Sequence, residues 1–168
     1  MINNALVLIK PDGIRKAIVG NVLTKLSETK LDILGIKIVK VTKNLARQHY
    51  QNLKDKPFFE NLLNYIQGNI YEIPCNKILA FIYHGENAIL RIRDIIGDTN
   101  PEKAKPTSIR GAYGRITTNG LFENVIHCSS DLIEAEREIK LWFKPEEILM
   151  EIYPTKEIIT QEKKRVWL

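Results

Sequence analysis

The sequence predicts one domain in which strands and helices alternate, in the order β-α-β-α-β-α-β with a short extra helix. Three observations carry this reading. At 168 residues the chain has the length of a single domain, and a domain of that size buries roughly 68–70% of its unfolded surface without needing a disulfide or metal staple. Apolar runs of strand length recur along it. Between them, apolar residues repeat at three- and four-residue steps, the spacing of a helix with one buried face. Pattern alone leaves two sheets open: a parallel one, or a split-βαβ unit with helical material inserted between the second and third strands.

Ala5-Leu6-Val7-Leu8-Ile9-Lys10 is a nearly continuous apolar run stopped by Pro11, which predicts a buried strand. Ile18, Val19, Val22, Leu23 and Leu26 predict an amphipathic helix to about residue 29. Leu34, Ile36, Ile38 and Val41 largely alternate, so a second strand follows. A short helix is expected from Ala46 to Leu53. Another, with Phe58, Phe59, Leu62, Leu63 and Ile66 on its apolar face, starts just after Pro57. Residues 67–76 break the pattern and read as a loop. Ile78 to Tyr83 form a third strand, and Ala88, Ile89, Ile92, Ile95 and Ile96 a helix closed by Gly97. From Asp98 to about Glu123 the chain reads as one long irregular segment, a length that is uncommon unless the segment has work to do. A short strand, Val125–His127, and a helix carrying Ile133, Ala135, Ile139, Trp142 and Phe143 complete the order. Asp131 is the expected N-cap, with Glu134 three residues on.

Composition narrows the function classes. Hydrophobic residues make up 44% and charged residues 27%, as in ordinary globular domains. No apolar stretch of about 18 residues suggests a membrane span, and the start, Met1-Ile2-Asn3-Asn4, lacks the features of a signal peptide. Cys75 and Cys128 are the only cysteines. They make neither a disulfide framework nor a full zinc site, so a reducing, cytoplasmic setting is expected. The net charge of +5 favours anionic ligands such as phosphates, although Lys103, Lys105, Lys163, Lys164 and Arg165 read as solvated surface.

The segment Asn124-Val125-Ile126-His127-Cys128-Ser129-Ser130-Asp131 concentrates the chemistry. It delivers a histidine to the end of a short strand, ahead of small polar residues and a helix. Unperturbed histidine, with a pKa of about 6.5, is largely neutral and nucleophilic at neutral pH. Glu138 lies in the helix that folds back over it. Three distant segments each bring a cation near a loop or strand end: Lys10, Arg93 and Arg110. Phosphoryl transfer needs such groups, because charge spreads over the phosphate oxygens. Thr99 and Asn124 add neutral polar groups. A P-loop is excluded, because Gly-x-x-x-x-Gly-Lys-Ser/Thr is absent. Taken singly, each of these residues is as well explained by packing or solvation.

Taken together and in order, Leu8-Ile9-Lys10-Pro11-Asp12-Gly13, His49-Tyr50, Lys56-Pro57-Phe58-Phe59, Gly97-Asp98-Thr99-Asn100-Pro101, Ile109-Arg110-Gly111, Asn124-Val125-Ile126-His127 and Ala135-Glu136-Arg137-Glu138-Ile139 resemble the nucleoside diphosphate kinase family over about residues 5–149. The resemblance implies a ferredoxin-like four-stranded antiparallel sheet covered by helices, an α+β fold. It implies a ping-pong reaction in which a nucleoside triphosphate, mainly ATP, passes its γ-phosphate to His127, at Nδ1, and a nucleoside diphosphate takes it up. Glu138 matches the glutamate that orients the imidazole, and Ser129 the serine beside the phosphohistidine. Lys10, Tyr50, Arg93, Thr99, Arg110 and Asn124 match phosphate- and ribose-contacting positions, with Lys10 and Tyr50 also counted in the catalytic set. Phe58 matches the aromatic on which the base stacks, with Leu62 one helical turn on. Stacking tolerates every base, because every base has a π-face. The implied cofactor is Mg²⁺ carried on the nucleotide phosphates, with no metal ligand from the protein. A homohexamer or homotetramer is implied, without membrane attachment and without nucleic acid as the primary partner. Residues 1–150 are expected to form the kinase domain, and 151–168 a tail packed on it or on a neighbouring subunit.

The chain departs from the family pattern in places. Cys128 and Ser130 replace the usual glycine and aspartate after the histidine, Thr107 a glycine, and Ala112 an aspartate. Residues 67–76 and the segment before Asn124 are both longer than is common. Two other functions compete. One is RNA binding through Arg110-Gly111-Ala112-Tyr113-Gly114, which faintly resembles the Arg-Gly-aromatic motif of RNA-binding domains. The other is phosphate transfer from His127 to a protein partner.

Overall fold

Strand β1 (Ile2–Ile9) lies at the centre of the molecule and is buried on both faces, which is why it reads as a continuous apolar run. A computed structural model describes residues 1–159 of the chain. Ala5, Val7 and Ile9 point into one core and Leu6 and Leu8 into another. Each fully buried aliphatic side chain of this kind contributes roughly 1.5–3 kcal/mol. The strand is flanked by β3 (Lys77–Glu86) and β6 (Ile126–Cys128), and β2 (Asp32–Lys40) pairs with the far side of β3. The order β2-β3-β1-β6 with all pairs antiparallel is the ferredoxin-like sheet and removes the parallel alternative.

Helices cover both faces. Helices α2 (Val19–Ser27) and α5 (Ala88–Ile96) bury Val22, Leu26, Ile92 and Ile96 against the Val7 side. On the Leu8 side, α3 (Lys43–His49), α4 (Phe59–Ile66) and α7 (Leu132–Trp142) supply Ala46, Leu63, Ile66, Ile139 and Trp142. Asp131 caps α7 as expected, its side chain accepting from the Glu134 N–H at 2.9 Å.

Several element boundaries differ from the sequence reading. Pro11, read only as a strand stop, opens a short helix, α1 (Pro11–Arg15); proline is pre-set for a first helical position and has no N–H to lose there. The helix expected over Ala46–Leu53 is α3 plus a separate 3-10 turn, Gln51–Leu53, broken at Tyr50. The segment from Asp98 to Glu123 is not irregular throughout. It holds α6 (Ile109–Tyr113), N-capped by Ser108, and a small hairpin of β4 (Arg115–Ile116) and β5 (Phe122–Glu123). Elements this short carry too little periodicity to be read from pattern.

Residues 67–76 form the expected loop. Ile152 and Tyr153 pack against the second core, and residues 160–168, with Lys163, Lys164 and Arg165, lie outside the described residues. Among the described residues no helix is long and apolar enough to cross a membrane.

One backbone feature bears on the site. Val125 has φ 67°, a conformation costly for a β-branched residue, and the Ile126 N–H donates back to the Asn124 carbonyl at 2.7 Å, closing a tight three-residue turn just before β6. The buried Asp12 carboxylate holds that turn, accepting from the Val125 N–H at 2.9 Å and from the Tyr65 hydroxyl at 2.8 Å. Asp12→Ala leaves both donors buried without an acceptor, and is expected to cost about 3 kcal/mol in urea unfolding. A loss below about 1 kcal/mol would show that the clamp is dispensable.

Candidate active site

The pleat decides which way His127 faces. Ile126 and Cys128 point into the core beneath α2 and α5, so His127 between them points to the opposite face, toward α3 and α7. It stands opposite Leu8 in the β1–β6 register. Lys10 keeps extended backbone and so continues the Leu6–Leu8 face beyond the strand end. Two adjacent strand ends therefore present an imidazole and an ammonium on one side of the sheet.

Helix α7 supplies the partner of the imidazole. Glu138 is on its buried stripe with Ala135, Ile139 and Trp142. Its carboxylate lies 3.0 Å from His127 Nε2 and accepts from the Ser129 hydroxyl at 2.6 Å. Burial works against ionisation of Glu138. The His127 charge, the hydrogen bonds from His127 and Ser129, and the Arg137 charge together outweigh it and hold the carboxyl below its ordinary range. An ionised carboxylate only accepts, so in the neutral imidazole Nε2 carries the proton and Nδ1 bears the free lone pair. Ser129 is fully buried and fixed from two sides, since its Oγ also accepts from the Leu6 N–H at 3.1 Å.

His49 stands edge-on to His127, with ring centroids 4.5 Å apart. Burial, followed by the positive charges of His127, Arg137 and Lys10, pushes its pKa well down, so it is neutral. Trp142 Nε1–H donates to His49 Nδ1 at 3.2 Å, which puts the proton on Nε2, and that atom has no partner among the described residues. The adjacent Tyr50 hydroxyl is likewise buried without a partner among the described residues, and burial and the Glu138 charge raise its pKa. Arg137 ties α7 to the end of α3 by donating to the Gln48 and His49 carbonyls, groups a helix C-terminus leaves open.

The cations are partly scaffold. Lys10 Nζ donates to Asn124 Oδ1 at 2.7 Å, and Asn124 Nδ2 donates to the Thr99 carbonyl at 2.8 Å, so Asn124 is a bridge more than a free donor. Burial, aided by nearby Arg110, lowers the Lys10 pKa to about 7. Arg110 donates through Nε and Nη2 to the Ile126 carbonyl and through Nη1 to the Gly97 carbonyl, leaving two of its N–H groups for a ligand. The motif glycine after it has no room for a side chain: a Cβ on Gly111 would lie 2.1 Å from the Lys105 carbonyl oxygen. Arg93 and Thr99 are exposed.

These residues share one cavity of about 590 Å³, in the range of small-molecule sites. Lys10, Tyr50, Arg93, Thr99, Arg110 and Asn124 line it, together with His127 and Glu138. Phe58, 48% exposed, and Leu62 add apolar surface. Ser129 is the one anticipated site residue outside the lining; it sits beneath Glu138.

Two of the departures, Thr107 and Cys128, are accommodated without strain, and a third, Ser130, lines the cavity. Thr107 is not among the residues with positive φ, so no glycine is needed there. Cys128 is buried, and burial pushes its thiol up to about 12, which leaves it unreactive. The RNA-binding reading loses its motif, because Arg110–Tyr113 lie on helix α6 and not on an open sheet face, and Arg110 is bound to carbonyls.

His49, His127 and Glu138 offer ligand atoms within 4.8 Å of one another, a set that could take a metal. It does not suit Mg²⁺, which prefers oxygen ligands, and the His49 Nδ1 and His127 Nε2 atoms are already engaged.

The sequence reading gave no role to His49, Asp12 or the hairpin tip, Asn119 to Phe122, which also lines the cavity. A signal existed for His49, which follows Ala46 by three residues on the inward face of α3. For Asp12 the one signal was its place in the Leu8–Gly13 motif, and nothing local marked its partner, Val125, 113 residues away.

Comparison with known proteins converges on one group. The family model for nucleoside diphosphate kinase matches residues 3–148. A nucleoside diphosphate kinase from Trichodesmium erythraeum is 38% identical over 143 residues, covering 85% of this chain and 89% of that one. The nucleoside diphosphate kinase of Halobacterium salinarum, solved in complex with CDP, superposes with a TM-score of 0.78 at 31% identity, covering 91% of this chain and 95% of that one. That of Borrelia burgdorferi, a transition-state mimic with bound vanadate and ADP, gives 0.78 at 28% identity, covering 90% and 93%.

Proposed function

Because this chain belongs to the nucleoside diphosphate kinase family, we propose that its phosphotransfer runs through Nδ1 of His127 in the cavity built by Lys10, Arg93 and Arg110. The observation that supports this most directly is the Glu138 contact at 3.0 Å, which fixes the Nε2 proton and leaves Nδ1 as the nucleophile. The Nδ1 lone pair attacks the γ-phosphorus of a nucleoside triphosphate. The bond to the bridging oxygen breaks, and the nucleoside diphosphate leaves with that electron pair. Positive charge then grows on the imidazole, and the Glu138 carboxylate stabilises it. Ser129 holds the carboxylate in place. Lys10, Arg93, the two remaining Arg110 N–H groups and the Tyr50 hydroxyl face the phosphate oxygens, with Thr99 and Asn124 completing the cradle. Phe58 offers a face for the base and Leu62 adds apolar surface to the same cavity, a contact indifferent to base identity. Mg²⁺, when bound, would be held by the nucleotide's own phosphates and would supply charge neutralisation beside Lys10, Arg93 and Arg110. A second nucleoside diphosphate reverses the sequence and takes the phosphoryl group.

The same reading extends to assembly. Strand β2 is an edge of the sheet, and Ile33, Ile36 and Ile38 on it are exposed, a surface suited to a second copy in a homohexamer or homotetramer. Mass measurement in solution distinguishes the two. Residues 1–150 form the kinase domain in this reading, and the tail packs on it or on a neighbouring subunit. Cys75 and Cys128 are unpaired, which suits a cytoplasmic setting.

Incubation with γ-labelled ATP and Mg²⁺ should yield one acid-labile phosphoprotein, and unlabelled GDP should then chase the label into GTP. A protein that takes up no label, or holds it against GDP, rules the reading out.

A further inference from the structure

The two segments that the sequence reading marks as longer than the common family pattern, residues 67–76 and the stretch before Asn124, touch each other. Tyr71, in the first, donates its hydroxyl to Glu123 Oε1 at 2.9 Å, at the end of the β4–β5 hairpin. Helix α1 holds the loop from behind: Arg15 donates to the Ile73 carbonyl at 2.9 Å, and its guanidinium lies 4.4 Å over the Tyr71 ring. Glu123 is 2% exposed and also meets Arg115, and Lys16 at 3.9 Å. Beyond this anchored end, the tip of the hairpin lines the cavity with Asn119, Gly120, Leu121 and Phe122.

We propose that the 67–76 loop and the β4–β5 hairpin form one brace, joined through Tyr71 and Glu123, that sets the outer wall of the cavity and governs how tightly the nucleoside end of the substrate is held. This rests on the nucleotide reading above. Tyr71 is a positioning residue, not a catalytic one. It touches Glu123 and Arg15 and does not line the cavity. Leu121 and Phe122 have no side-chain charge or donor for a phosphate, so what they add to binding falls on the base and sugar. The phosphate end is secured separately, because Asn124 is fixed by Lys10 and by the Thr99 carbonyl. Burial, followed by the Asp12 charge and the Glu123 hydrogen bond, raises the Tyr71 pKa, so the donor persists at alkaline pH.

The test compares wild type, Tyr71→Phe, Arg15→Met and the double variant, each with ADP and with inorganic pyrophosphate as ligand. ADP binding should weaken about tenfold in each single variant, and no further in the double, because both residues act through the same loop. Pyrophosphate binding and kcat should stay within twofold. Unchanged ADP affinity overturns the brace while leaving the phosphohistidine reading intact. Equal weakening of ADP and pyrophosphate also overturns it, since that marks a general loss of the site. Failure of wild type to form a phosphoenzyme overturns both.

Discussion

Replacing His127 with alanine is expected to lower nucleoside diphosphate phosphorylation by roughly 10⁴- to 10⁶-fold, the scale on which losing a covalent nucleophile is felt. The remaining cations still gather phosphates, so nucleotide binding should persist while turnover disappears. Among the described residues no other group replaces the imidazole. His49, the nearest ring, is buried and neutral and has its Nδ1 occupied by Trp142. Ser129 is bound to Glu138 and Leu6 beneath the cavity. Cys128 points into the other core with its thiol pushed up to about 12. The fold should survive, because His127 sits at a strand end and its side chain is 18% exposed. The checks are the exchange assay and incorporation of γ-label: wild-type labelling of His127→Ala would remove His127 as the carrier. Glu138→Gln should retain a fraction of activity, since the amide keeps the shape of the contact without its charge.

What could be read in the chain divides along a physical line. Elements with long periodicity were legible: β1, α5 and α7 follow from runs of apolar residues at strand or helical spacing, and the α7 cap from Asp131 and Glu134. The antiparallel sheet was not legible from pattern, because strand direction leaves no trace in apolar spacing; it came from the resemblance. Motif residues such as Lys10, Arg110 and Asn124 were marked individually, and the structure gathers them in one cavity. Their mutual bonds were invisible. That Arg110 grips two carbonyls and Asn124 bridges Lys10 to Thr99 depends on contacts across as many as 114 residues. The Val125 turn was hidden for the same reason, since nothing local announces a left-handed valine. It is stable because Asp12, Tyr65 and the Lys10 N–H surround it, the last donating to the Val125 carbonyl at 2.8 Å.

Lys10→Met is the second large effect, and its signs are opposite for activity and stability. The ammonium is 5% exposed, and burial, with the Arg110 charge beside it, lowers its pKa from 10.5 to about 7. The folded protein thus holds that proton less tightly than the unfolded chain. The charge is a full penalty below about pH 7, and stability rises with pH between about 7 and 10.5 as the folded state sheds it. Methionine, similar in length and uncharged, removes the penalty, so the variant should melt at or above the wild-type temperature at pH 6–7, with a flatter dependence on pH. Catalysis should move the other way. A phosphate in the cavity restores the ammonium by its own negative charge, so wild-type nucleotide binding takes up a proton and weakens as pH rises past about 7, the Lys10 value in the free protein. The variant lacks that slope, and without the charge beside the transferring phosphoryl group kcat/KM should fall about 10²- to 10³-fold. Titrations of ADP binding and melting curves from pH 6 to 9 measure both arms. A variant whose activity stays within tenfold, or one that melts well below wild type at pH 6, would show that Lys10 is scaffold and not part of the phosphate site.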